Sequence, residues 1–138
     1  MHVTSFLTFT LAAVYPAMVA ADYDIKCETS GASPWTEDVT AVINQIKGKS
    51  DGPGQSCINH NSIGSYCTTV AKHFSAGLAT CNSHNDIKCS DVADVVNALQ
   101  QKCKADVEGH VRVGGTAKLH GVDIRVFHQS IDGKFLMT

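Results

Sequence analysis

KCSDVADVVNALQQKCK, running from Lys88 to Lys104, places Val92, Val95, Val96 and Leu99 at i, i+3, i+4 and i+7. That spacing makes one apolar stripe, while Asp91, Asp94, Asn97 and Gln101 take the opposite side, so the stretch predicts an amphipathic helix from Asp91 to Cys103. Ser90 is the expected N-cap, Asp91 and Asp94 place negative charge at the positive end of the helix dipole, and Lys102 and Lys104 suit the other end. Cys103 returns to the apolar stripe, whereas Cys89 falls just outside the cap. If both are oxidised, one sulfur points into the core and the other ties down the entry turn.

A helix with a single apolar face needs a surface to lie on, and the flanking sequence supplies strands. Upstream, Tyr23, Ile25 and Cys27 alternate with Asp24 and Lys26 at the period of a half-buried strand. Turn residues follow. Ser33 and Pro34 read as N-cap and first-turn proline of a second helix, with Trp35, Val39, Val42, Ile43 and Ile46 on its apolar face up to Gly48 and Trp35 as the largest anchor. Gly52, Pro53 and Gly54 make KSDGPGQS an irregular loop. SYCTTVAKHFSAGLATC, from Ser65, is rich in Thr, Val and aromatics and broken near Ser75 to Gly77, which predicts a hairpin with Cys67 and Cys81 near its open ends. Beyond the central helix, VEGHVRVGG reads as mobile or turn-like. TAKLHGVDIRVFH reads as a strand pair or one bent strand with Val122, Ile124 and Val126 on one face. The expected fold is therefore α+β: a two-layer sandwich of two antiparallel helices on an antiparallel sheet of four to five strands.

The 138 residues carry six cysteines and a net charge of −2. Residues 1–21 contain an uncharged apolar run ending in AMVAAD, with the character of a signal peptide cleaved after Ala20 or Ala21; the run is short of the roughly 20 apolar residues of a membrane span. Residues 22–138 then form a single secreted domain, with residues 129–138 as a loose tail. An even cysteine count in a small secreted chain reads as three disulfides, for which 15 pairings exist. The slightly acidic balance gives no general attraction to nucleic acid or anionic lipid, and no N-x-Ser/Thr sequon is present.

Cys57 with His60 and Cys81 with His84 have C-x-x-H spacing compatible with zinc, but the disulfide reading claims those cysteines, and no metal or cofactor is expected. Acid–base catalysis of the small-ribonuclease kind could draw on His73, His110, His120 and His128, with Glu28, Glu37, Glu108, Arg112 or Arg125 as companions. No HExxH, GxSxG or paired-acid motif accompanies them, so no catalytic residue is assigned. Lys72 and His73 sit near the hairpin turn, where a binding module would display a contact.

A strand ending in IKC, a helix, a cysteine-bearing hairpin, the segment IKCSDVADVVNALQQKC and the closing HGVDIRVFH together resemble the small secreted killer-toxin family typified by the calcium-channel-blocking killer protein 4. The likeness spans Tyr23 to His128 and consists of the order of cysteines and elements. It implies the same sandwich and joins Cys27 to Cys103, Cys57 to Cys89 and Cys67 to Cys81. It further implies a monomeric, non-enzymatic antifungal toxin or plant virulence effector that binds a target-cell membrane protein or other surface component, a calcium channel among them, without inserting into the membrane. The family's functional lysine near the hairpin has its nearest counterpart in Lys72. The alternative reading is a small secreted hydrolase such as a ribonuclease, and a third is a plant-apoplast virulence protein with no toxicity of its own.

Overall fold

The computed structural model describes residues 23–49, 56–61 and 66–130; the segment expected to be a signal peptide, most of the KSDGPGQS loop and the tail beyond Ser130 lie outside them. The elements follow as β1 (Asp24–Cys27), α1 (Thr36–Lys49), β2 (Cys67–His73), β3 (Ala76–Cys81), α2 (Cys89–Cys103), β4 (Ala105–Val107), β5 (His110–Arg112), β6 (Gly115–Leu119) and β7 (Val122–His128). Five strands form one antiparallel sheet in the order β1-β6-β7-β3-β2, and β4 pairs with β5 in a small second sheet.

Register and the alternation of side chains divide the main sheet into two faces. Leu78 opposite Val126, Thr80 opposite Ile124, and Ala117 opposite Ile124 place these residues and Val122 on one side. The apolar stripes of both helices lie against it: Val39, Val42, Ile43 and Ile46 of α1 and Val92, Val95, Val96 and Leu99 of α2 are all buried in one core with the sheet residues. The opposite face carries Lys26, Thr116 and Arg125 in one cross-strand row and Asp24, Lys118 and Asp123 in the next, with Lys118 and Asp123 in an ion pair at 3.6 Å. On that face the Phe127 ring lies over Gly77, where an added Cβ would come within 2.6 Å of Cε2, so β3 needs glycine there.

The helices run antiparallel. Gln100, near the end of α2, donates from Nε2 to the Thr36 carbonyl at 3.1 Å and to Thr40 Oγ1 at 2.8 Å at the start of α1. At the other end, Lys49 of α1 and Cys89 of α2 line the same surface hollow. Three disulfides tie the layers together: Cys27–Cys103 joins the first strand to the end of α2, Cys57–Cys89 joins the loop before the hairpin to the start of α2, and Cys67–Cys81 crosses the hairpin. This is the pairing that the killer-toxin resemblance implies.

The boundaries differ from expectation for identifiable reasons. The central helix begins at Cys89, with Lys88 as an N-cap that makes no side-chain capping bond, so Ser90 lies inside the first turn. The Ser56–Lys88 bridge and the Cys57 N–H to Ile87 carbonyl bond of 2.8 Å hold the chain extended up to Lys88, and the helix starts directly after it. The first helix begins at Thr36 and not at Ser33, because Pro34 accepts a bond from the Val113 N–H at 3.0 Å and Trp35 bridges to Arg112. That strand-like pairing turns Trp35 out of the apolar stripe; it is 42% exposed and anchors no core. VEGHVRVGG is not turn-like throughout, since it forms the β4–β5 hairpin around Glu108 and Gly109, both at positive φ as a tight hairpin turn requires. The expected loose tail is held at its first residue, where the Gln129 N–H donates to the Ser75 carbonyl at 2.8 Å.

Candidate functional site

The ends of three elements meet where the β2–β3 turn approaches the start of α1. Phe74 and Ser75 form the turn, Asp38 sits in the first turn of α1, and Arg112 ends β5. Asp38 is 6% exposed, and its Oδ2 accepts both the Ser75 N–H at 3.1 Å and the Ser75 hydroxyl at 2.5 Å. Ser75 Oγ in turn accepts the Trp35 N–H at 3.1 Å. A carboxylate here also faces the positive end of the α1 dipole. One buried acid thus fixes both the turn that carries Phe74 and the backbone that carries Trp35. Arg112 reinforces the same corner by donating from Nη1 to the Ser33 carbonyl at 2.8 Å, and the Thr36 hydroxyl donates to the Val111 carbonyl at 3.0 Å.

The corner holds two large apolar side chains out in water. Phe74 is 65% exposed, and its backbone has φ of 42°, a left-handed conformation that a bulky residue rarely adopts and that costs on the order of 1 kcal/mol or more. His73 meets its ring edge-on, with centroids 4.5 Å apart. Trp35 is stacked on His110 with centroids 5.6 Å apart and planes at 18°. Between Trp35 and Phe74 lies an open groove of about 600 Å³, also lined by Gly31, Glu37, Asp38, Ser75, Arg112 and His128. A concavity of this size with aromatic walls and a few charged groups is the usual form of a binding site.

The residues singled out from sequence are dispersed. Lys72 and His73 are neighbours on one strand and therefore point to opposite faces: Lys72 stands opposite Gly77 on the open face, whereas His73 Nδ1 lies 3.5 Å from Gln45 Nε2 on the helix side. Neither lines the groove. His128 does, together with Glu37 and Arg112. His120 occupies the β6–β7 turn at the far end of β7, about 20 Å of strand away at 3.3 Å per residue. Glu28 and Arg125 line a hollow on the open sheet face, and Glu108 lies on the β4–β5 turn beside Gly31. The C-x-x-H pairs are not ligand pairs, since Cys57 and Cys81 are in disulfides and His84 Nδ1 lies 2.7 Å from the Asn59 carbonyl. Among the described residues, no group of three His, Cys, Asp or Glu side chains could hold a metal ion, and no helix is long and apolar enough to cross a membrane.

Asp38 and Ser75 carry the geometry, yet each has an ordinary local reading, as a first-turn acid and a turn serine. Ser75→Ala should lower the unfolding free energy by about 1–3 kcal/mol, because the buried carboxylate loses its hydroxyl donor and the Trp35 N–H loses its acceptor. Urea denaturation measures this; an unchanged midpoint would show that the network does not hold the corner. No protein-family model matches the chain, and neither a curated protein nor a solved structure does.

Proposed function

We propose that the protein is a secreted effector that binds a component of another cell's surface through the Trp35–Phe74 groove, and so restrains competing fungi or acts on a plant host. The observation that supports this reading is the exposure of Trp35 and Phe74 around one groove, held there by a buried hydrogen-bond network and at a backbone cost at Phe74. Rigid, solvent-facing aromatics are the side chains that most often dominate protein recognition. Three disulfides suit the oxidising conditions outside a cell. A calcium channel is the target that the killer-toxin resemblance adds.

A hydrolase is the second reading, and a specific observation favours it: Glu37, Arg112 and His128 line the same groove and combine a carboxylate, a fixed cation and an imidazole. One set of variants separates the two. Growth of fungal and plant cells is measured with purified protein, with and without added calcium, alongside cleavage of RNA. Binding predicts that Trp35→Ala reduces the cellular effect at least tenfold and that RNA stays intact with wild type and variant alike. RNA cleavage by wild type that a folded His128→Ala protein loses together with the cellular effect would overturn the binding reading.

A further inference from the structure

We infer that the occupant of the groove is a neutral oligosaccharide, the cell-surface component then being a glycan; this rests on the surface-binding reading above. The charges disfavour a ligand of a single sign. Glu37 and Arg112 bring both signs into one groove, so an anion meets the Glu37 carboxylate and a cation meets the Arg112 guanidinium. A neutral ligand whose hydroxyls both donate and accept is served by both, and by either ring nitrogen of His128. Asp38 is buried and its Oδ2 already takes two bonds from Ser75, so that oxygen is not left to accept from a ligand.

The walls fit the same chemistry. A pyranose ring has an apolar face of C–H groups with hydroxyls around its edge, and the negative face of an aromatic ring attracts such C–H groups. Trp35 has one face of its indole against His110 and still lines the groove as a 42% exposed residue, which makes a braced platform and not a swinging side chain. Phe74 stands across from it on a turn pinned by Asp38. The groove's volume of about 600 Å³ suits a stretch of a chain. It is open to solvent, as a binder of polysaccharide requires, since a long chain has to enter and leave.

The chain contains one tryptophan, so its intrinsic indole emission reports on this groove. Purified secreted protein is titrated with hexasaccharides of β-1,4-glucose, β-1,3-glucose, β-1,4-N-acetylglucosamine and α-mannose, and separately with a dinucleotide monophosphate. Concentrations reach about 10 mM, where a ligand with Kd near 1 mM fills about nine sites in ten. At least one neutral series should give a saturable change in emission, weakened at least tenfold by Phe74→Asn and unaltered by Tyr66→Asn, which changes an exposed aromatic outside the groove. Trp35→Ala, followed by calorimetry, should abolish the binding. If no sugar binds and Phe74→Asn nonetheless loses attachment to cells, the glycan inference fails while the surface-binding reading stands. If no sugar binds and the variant attaches normally, both fail. Saturable binding of the dinucleotide alone would overturn the inference in favour of the hydrolase.

Discussion

Replacing Cys27 and Cys103 together by serine should lower the melting temperature well below that of the Cys67→Ser, Cys81→Ser protein. The first bridge spans 76 positions and the second 14. In the chain-entropy model the long loop contributes about 4.5 kcal/mol and the short one about 3 kcal/mol. The difference of about 1.5 kcal/mol corresponds to roughly 5–9 °C for a domain of this size. The fold points the same way. Among the described residues β1 is an edge strand paired with β6 alone, and Cys27 fastens it to the end of α2, where the Thr29 hydroxyl also donates to the Cys103 carbonyl at 2.6 Å. Cys67 and Cys81 are already opposite one another in a hairpin, with Cα atoms 4.0 Å apart, so their bridge constrains a pairing that the strands make anyway. Thermal unfolding of the two serine pairs gives the ranking, and equal melting temperatures would refute it.

Leu99→Ala should destabilise the fold by about 2–5 kcal/mol, a large part of the roughly 5–15 kcal/mol that a domain of this size has in total. Leu99 is fully buried in α2, in the core it shares with Val42 and Ile46 of α1 and with Ile124 of the sheet. Its removal leaves a cavity that rigid strands on one side and a disulfide at each end of α2 prevent from closing. Gln101→Ala, two positions on and exposed, should change stability by less than about 0.5 kcal/mol. Chemical denaturation of both variants tests the contrast; a Leu99→Ala loss below about 1 kcal/mol would mean that the stripe is not the packing seam it forms in the structure.

That contrast also shows what was legible beforehand. Val92, Val95, Val96 and Leu99 repeat at the helical period because the same side is buried at every turn, so burial is written into local spacing. The alternation of Val122, Ile124 and Val126 reveals the closing strand in the same way. Trp35 follows the same local rule, four residues before Val39, and yet lies outside the core. Its position is set by backbone pairing with Arg112, 77 positions away, and no local pattern records that. The Asp38–Ser75 bond spans 37 positions and was equally hidden. The second sheet did leave a sign: Glu108-Gly109 between alternating valines is hairpin chemistry, as is His120-Gly121 in the β6–β7 turn. Phe74 reads as a strand aromatic; only the structure reveals its left-handed backbone at the tip of the turn. Function was the least legible because the groove is assembled from residues 31 to 128 with no motif among them.

The strained turn gives the most direct test of the claim that this corner exists to bind. Asparagine tolerates the left-handed region that phenylalanine resists, so Phe74→Asn relieves backbone strain while removing an aromatic wall of the groove. Fluorescently labelled Phe74→Asn protein is compared with wild type for attachment to intact fungal and plant cells, and the melting temperature of each is recorded. The account predicts a melting temperature equal to or higher than that of wild type, together with at least tenfold weaker attachment. A variant that attaches as tightly as wild type would contradict it.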